Sequence, residues 1–203
     1  KLLVQKLILL DGQKFQITIT RLCYQLIENH GDFTNSVIIG IQPRGVFLAK
    51  RIQGELGQIL PQVDIQHGNL DITFFRDDFR RKEGIHLPNS TEINFIIEGK
   101  KVILVDDVLW TGRTIRAALD AILVFGRPQT VELLTLVDRR YSRHLPIKAD
   151  YIGIQVDTIH SQKVIVHWQE TDFEDQIILL SEDSDSKTTP TQFPNKTPQN
   201  LTD

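Results

Sequence analysis

Val102-Ile103-Leu104-Val105-Asp106-Asp107-Val108-Leu109-Trp110-Thr111-Gly112-Arg113-Thr114 opens on four apolar residues, meets two adjacent carboxylates and runs into a short loop bearing hydroxyls and a glycine. The apolar part, with Lys101 before it, reads as a buried parallel strand over Lys101–Val105. Behind the loop, Ile115, Ala118, Leu119, Ile122 and Phe125 recur at helical spacing. They predict a helix over Thr114–Phe125 that stops at Gly126-Arg127-Pro128. Val131–Val137 is again a strand, so Lys101 to Val137 forms one βαβ unit. In such sheets ligands gather beyond the carboxyl ends of the strands, where Asp106 and Asp107 stand. Two adjacent carboxylates suit hydroxyl donors or a divalent cation. Small hydroxylated residues, a glycine and the N–H groups of a helix start suit a phosphate, so the run fits a sugar phosphate.

The same alternation extends outward. Val37–Ile41 is an apolar, β-branched strand followed by a helix over Val46–Leu56, whose inward face carries Leu48, Ala49, Ile52 and Leu56. An earlier helix, about Thr20–Asn29, buries Leu22, Cys23, Leu26 and Ile27. Leu70–Phe75, Val164–Trp168 and Gln176–Leu180 are further strand candidates. Strands interleaved with helices predict an α/β fold with a mainly parallel central sheet flanked by helices. Residues 1–180 form one domain in this reading. Ser181–Asp203 holds three Pro, three Ser and five Thr with Phe193 as its sole aromatic residue, and is expected to be a disordered polar tail.

Composition sets limits on function. The 203 residues carry a net charge of −3, and the tail takes most of it, so the domain is nearly neutral. That excludes a protein held to nucleic acid by bulk charge and leaves only a local patch for such a partner. One cysteine, Cys23, forms no intramolecular disulfide and no C-x-x-C spacing suggests zinc, so a reducing, cytoplasmic setting is expected. The N-terminal apolar runs are too short to span a membrane and carry no cleavage pattern. The chain starts at Lys1 and holds no Met, so its natural start is expected to lie upstream.

The 13-residue run resembles the PRPP motif of type I phosphoribosyltransferases, and neither a Walker P-loop nor a G-x-G-x-x-G occurs in the chain. Within that fold the resemblance is to the PyrR family, bifunctional pyrimidine-operon regulators and uracil phosphoribosyltransferases. It is carried by Gly40-Ile41-Gln42-Pro43-Arg44-Gly45, Asp71-Ile72-Thr73-Phe74-Phe75-Arg76-Asp77-Asp78, the Arg113–Ala121 extension, and Leu136-Val137-Asp138-Arg139 followed by Leu145–Gly153. The resemblance implies a small hood over the sheet. Asp106 and Asp107 would bind the ribose hydroxyls, and Val108, Leu109, Trp110, Thr111, Gly112, Arg113 and Thr114 would wrap the 5-phosphate end. Pro43, Arg44 and Gly45 would form the pyrophosphate loop. Pro43 departs from an expected Thr and lacks an N–H. Arg76 would reach pyrophosphate from the start of a mobile loop between Asp77 and Lys100, in which Arg80, Arg81 and Lys82 are further candidates and Asn89 replaces an expected basic residue.

For the base, the resemblance implies Arg139 and the backbone of Val164, within Asp138-Arg139 and the Tyr151–Val166 region. Catalysis would need no covalent nucleophile. Asp106, Asp107, Arg44 and Arg76 would be its catalytic groups, with Mg²⁺ carried by PRPP rather than by a protein metal site. The implied partners are PRPP, uracil, UMP or UTP, and pyrimidine-gene leader RNA, the last through Thr20, Arg21, Arg140 and Arg143. His144 and Lys148 would extend that face, and Tyr24 stands where His is expected. A homo-oligomer, dimer or higher, is implied as well. Two alternatives stay open at this stage: a phosphoribosyltransferase for another base, and a catalytically weak RNA-binding regulator.

Overall fold

The computed structural model describes residues 4–77, 90–159 and 161–182. Five strands form a parallel sheet: β2 (Ser36–Ile41), β3 (His67–Leu70), β4 (Lys101–Leu109), β5 (Thr130–Arg140) and β6 (Tyr151–Asp157), in the spatial order β3-β2-β4-β5-β6. Helices α1 (Gly12–His30) and α2 (Gly45–Ile59) cover one face, and α3 (Arg113–Ile122) lies on the other. A second, antiparallel sheet is made from the ends of the described chain: β1 (Val4–Leu10), β8 (Gln176–Glu182) and β7 (Gln162–His167), in the order β1-β8-β7. A single turn, α4 (Gln169–Asp172), joins β7 to β8. The small sheet is the hood.

Burial explains the layering. β2 is buried at all six positions, and β4 at Val102–Val105, because helices press on both faces of the central strands. Val37, Ile39, Val102 and Leu104 face α3 with Ile115, Ala118 and Ile122. Ile38, Ile103 and Val105 face α1 and α2 with Leu22, Leu26, Leu48 and Ile52. Trp168, fully buried, sits edge-on to Phe15 at 5.3 Å between ring centroids and ties the hood to α1.

Several elements differ from their sequence reading. Helix α1 starts eight residues earlier than Thr20, because the Asp11 carboxylate accepts the Lys14 N–H at 3.0 Å and caps it there. Strand β3 ends at Leu70 instead of continuing to Phe75. The Asp71 carboxylate accepts both the N–H (3.0 Å) and the hydroxyl (2.6 Å) of Thr73, turning the chain into a 3-10 turn at Thr73–Phe75. β4 runs on to Leu109, since it keeps pairing with β5 as far as Leu109 opposite Asp138. Tyr151–Asp157, expected at the base end with the hood, is instead the edge strand of the parallel sheet, and of that region β7 alone joins the hood. β8 carries order through Ser181 and Glu182, both expected in the tail, while residues 183–203 lie outside the described residues. No helix among the described residues is long and apolar enough to cross a membrane.

Candidate active site

The β4 strand delivers Asp106 and Asp107 to the carboxyl edge of the sheet, side by side because β5 continues to pair with it there. Asp106 is 7 % exposed, and its Oδ1 accepts the Asp107 N–H at 3.0 Å. Burial, then the neighbouring Asp107 charge, pushes the Asp106 carboxyl well above the usual range, with the Arg76 charge partly offsetting them. Burial also raises Asp107, opposed by Arg44, whose Nε donates to Asp107 Oδ2 at 3.1 Å. Arg76 and Arg44 thus offset the burial of the pair only in part, and two adjacent carboxyls at this edge suit hydroxyl donors.

Arg44 leads into α2 from the loop after β2. Its guanidinium also bonds the Val166 carbonyl of the hood, and Asp172 in α4 lies 3.8 Å from Nη2. The Gln42–Pro43 peptide before it is cis. Gly45 is required by close approach, since a Cβ there would strike the Val105 carbonyl, so the first turn of α2 rests on β4 just before the acid pair.

Only three residues separate β4 from α3. Gly112 takes φ +88°, and α3 begins with no side chain capping from the N-cap position; the Arg113 N–H donates to Thr111 Oγ1 at 3.4 Å, and the start of the helix faces the anion side of the loop. Arg113 turns away to pair with Asp77, joining the loop to the segment after the 3-10 turn.

At the far end of the edge, Arg139 is 5 % exposed, donates to Thr158 Oγ1 at 3.1 Å and the Gln162 carbonyl at 2.9 Å, and lies over the Trp110 ring at 4.8 Å. These groups enclose a cavity of about 580 Å³, lined by Arg44, the run Asp106–Gly112, Thr114, Ile115, Arg139 and β7 from Gln162 to Val166. Fifteen residues read from the sequence as catalytic or substrate-binding converge on this edge. Of these, Pro43, Gly45, Arg76 and Arg113 stand outside the lining. Lys163 and Ile165 in the wall, and Asp172 behind Arg44, escaped the sequence reading because only the hood's long-range pairing brings them there.

The proposed RNA face is more scattered. Thr20 donates its hydroxyl to Glu55 at 2.7 Å, Arg21 donates to the Gly153 carbonyl at 2.5 Å, and Arg140 pairs with Asp157 on the surface. Arg143, read as facing RNA, is turned inward, where carbonyl oxygens and Asp138 take up its guanidinium. Arg80, Arg81, Lys82 and Asn89 lie outside the described residues.

Comparison with known proteins accords with this geometry. The phosphoribosyl transferase domain family matches residues 6–171. The bifunctional protein PyrR of Lactococcus lactis subsp. cremoris is 47% identical over 175 residues, covering 86% of this chain and 97% of that protein. The chain belongs to the PyrR family of phosphoribosyltransferases. A second PyrR protein, from Streptococcus mutans, is 45% identical over 86% of this chain and 96% of its own length. A relative in Lactococcus lactis subsp. cremoris at 47% identity over the same shares as the first carries the name pyrimidine operon regulatory protein. Among solved structures, the hypoxanthine phosphoribosyltransferase of Staphylococcus aureus superposes with a TM-score of 0.63 at 17% identity, over 88% of this chain and 93% of that one. This likeness shows the type I phosphoribosyltransferase fold, with its parallel sheet and small antiparallel hood, and the PyrR relatives supply the family within it.

Proposed function

We propose that this chain transfers the phosphoribosyl group of PRPP to uracil, giving UMP and pyrophosphate, and that it also regulates pyrimidine genes by binding leader RNA under the influence of uridine nucleotides. The observation that carries the enzymatic part is the single cavity that joins the acid pair, the start of α3, Arg44 and the hood strand β7. In this reading the ribose 2′- and 3′-hydroxyls donate to Asp106 and Asp107, and the 5-phosphate accepts from the Thr111–Thr114 backbone. Pyrophosphate leaves toward Arg44, which exchanges its Asp107 contact for a phosphate oxygen. Uracil lies between Arg139 and the β7 backbone at Val164, with N1 facing C1′. The C1′–N1 bond forms as the C1′–O bond to pyrophosphate breaks, and the N1 proton is released. Alignment and charge compensation supply the rate, because the oxocarbenium-like state needs a nearby anionic pair and the leaving group needs cations.

Asp106 and Asp107 suit a Mg²⁺ ion that arrives with PRPP. Two neighbouring carboxylates suit an ion that keeps its phosphate and water ligands. When bound, Mg²⁺ neutralises charge on the departing pyrophosphate.

The names of the PyrR relatives favour the regulatory half, together with Thr20, Arg21 and Arg140 at the surface. Each would trade an internal partner for an RNA phosphate. Incubation with PRPP, Mg²⁺ and, in parallel, uracil, hypoxanthine, guanine, adenine and orotate tests the enzyme, with Asp106→Asn/Asp107→Asn as the blank. UMP from uracil alone is expected. Turnover with a purine would overturn the base assignment, and PRPP binding without any turnover would leave a regulator. Tighter binding to leader than to scrambled RNA, altered by UMP, is the expected result for the regulatory half, and equal binding would overturn it.

A further inference from the structure

The geometry points to Arg143 as a positioning residue that holds the backbone of the phosphate loop in its ligand-binding shape. This proposal deepens the reading of the cavity as a PRPP site and rests on it. Arg143 lies in the segment between β5 and β6, outside the cavity, and its side chain is 23 % exposed. Nη1 donates to the carbonyls of Leu109 (3.2 Å), Trp110 and Arg139 (3.1 Å), Nε to that of Ile147 (3.0 Å), and Nη2 to the carboxylate of Asp138, which is itself buried. One planar guanidinium therefore joins three stretches of chain: the end of β4, the end of β5 and the turn before β6. A lysine has neither the span nor the fixed fork to do so.

The same segment grips the loop by two further means. The N–H groups of His144 (3.0 Å) and Leu145 (3.2 Å) both donate to the Thr111 carbonyl. Leu145 and Ile147 pack so closely over Gly112 that a Cβ there would meet them at 3.3–3.4 Å. The Leu109, Trp110 and Thr111 carbonyls thus all face the 138–148 segment. Peptide units are planar, so fixing these oxygens aims the intervening N–H groups the opposite way, toward the cavity. The segment also begins at Arg139, on the Trp110 ring, and continues through Arg140 and Tyr141 at the surface. Loop shape and outer surface are therefore coupled mechanically. A ligand that tightens the loop tightens the 138–148 segment, which is a physical route by which a bound nucleotide changes an exterior face.

Arg143→Lys tests this, with two readouts on the full chain. Calorimetric PRPP binding in the presence of Mg²⁺ is expected to weaken about tenfold, with KM for PRPP rising in parallel and kcat changing about threefold or less. Acrylamide quenching reads the loop directly, because Trp110 is 49 % exposed while Trp168, the other tryptophan, is 0 % exposed. Quenching of Trp110 is expected to rise in the ligand-free variant and to return to the wild-type level at saturating PRPP. Unchanged quenching and PRPP affinity within twofold of wild type would overturn the proposal. If wild type itself fails to bind PRPP, the site reading falls, and the ligand-free quenching still decides whether Arg143 holds the loop. Should Arg143→Lys not fold, Asp138→Asn removes the one carboxylate that anchors the guanidinium and is expected to shift both readouts in the same direction by a smaller amount. No shift there would equally overturn the assignment.

Discussion

Two buried polar clusters occupy opposite ends of the same parallel sheet, and they solve the problem of burial differently. At the amino edge, His30 Nδ1 meets Ser36 Oγ at 2.8 Å and Nε2 meets Glu132 Oε2 at 3.1 Å. Tyr151 donates its hydroxyl to the same carboxylate at 2.7 Å and accepts from Asn29 Nδ2 at 3.0 Å. Every group there has a partner within the chain. At the carboxyl edge, Asp106 and Asp107 stand side by side, and burial raises both pKa values against the partial offset of Arg76 and Arg44. One edge is satisfied within the chain, and the other is the edge proposed above to take a ligand. Polar residues packed under identical sheet geometry thus serve stability where their demands are met internally, and binding where they are not.

Asp106→Asn/Asp107→Asn should separate the two edges most sharply. Activity is expected to fall by at least about a thousandfold, roughly 4 kcal/mol of transition-state stabilisation, while the thermal midpoint stays level or rises by a few degrees, since two adjacent buried carboxylates that Arg44 and Arg76 only partly offset are gone. A thermal midpoint that drops along with activity would mean the acid pair is structural. Next in size, Glu132→Ala at the amino edge should cost about 1–3 kcal/mol of stability in denaturant unfolding, by leaving His30 and Tyr151 without their acceptor. Its kcat and KM should stay within about twofold of wild type.

The pH responses of the two edges should have opposite signs. His30 is lowered by burial first and by Lys101, against the pull of Glu132, so the unfolded chain binds the proton more readily. Its contribution is complete above the ordinary histidine value of 6.5 and is lost as pH falls from there toward the lowered folded value. The raised aspartates do the reverse. The folded protein holds their protons longer, so their contribution is present below the ordinary value of 3.8 and is lost as pH rises through the raised folded values. Urea unfolding followed across pH should show His30→Gln flattening the decline below 6.5, and the double Asn variant flattening the component that falls with rising pH. The smallest expected effect is that of Arg140→Ala, which breaks an exposed ion pair with Asp157 and should leave the thermal midpoint unmoved while weakening leader RNA binding in a shift assay.

The sequence made the carboxyl edge legible and left the amino edge obscure. Asp106 to Thr114 is contiguous, so a strand, a loop and a helix start could be read together with the chemistry they present. His30, Glu132 and Tyr151 are far apart in the chain, and nothing local in any of them announces a shared network. The same distinction explains the hood. β1 pairs with β8, Val4 opposite Glu182, a contact that no window of sequence contains. Lys163 reaches the site on β7, which pairs with β8 in the same sheet, and Asp172 on the turn between those two strands. The start of α1 was masked for another reason. Phe15-Gln16-Ile17-Thr18-Ile19-Thr20 alternates apolar and polar residues as a strand would, and the Asp11 cap together with burial of Phe15, Ile19 and Leu22 overrides the pattern. Arg143 shows a limit on surface reading, since a basic residue between two strands gives no sign of which way it turns.

The pairing of β1 with β8 also sets an order in time. When synthesis has passed Asp157, all five strands of the parallel sheet have been made, along with the acid pair, the loop, and Arg44 and Arg139. Yet Val164 and the Val166 carbonyl that Arg44 grips are still to come, and β1 still lacks its partner. A nascent chain at that stage carries the acid pair, Arg44 and Arg139 with no roof over them, and still lacks Lys163 and Asp172. The pocket closes only after β8 has cleared the ribosome and docked beside β1.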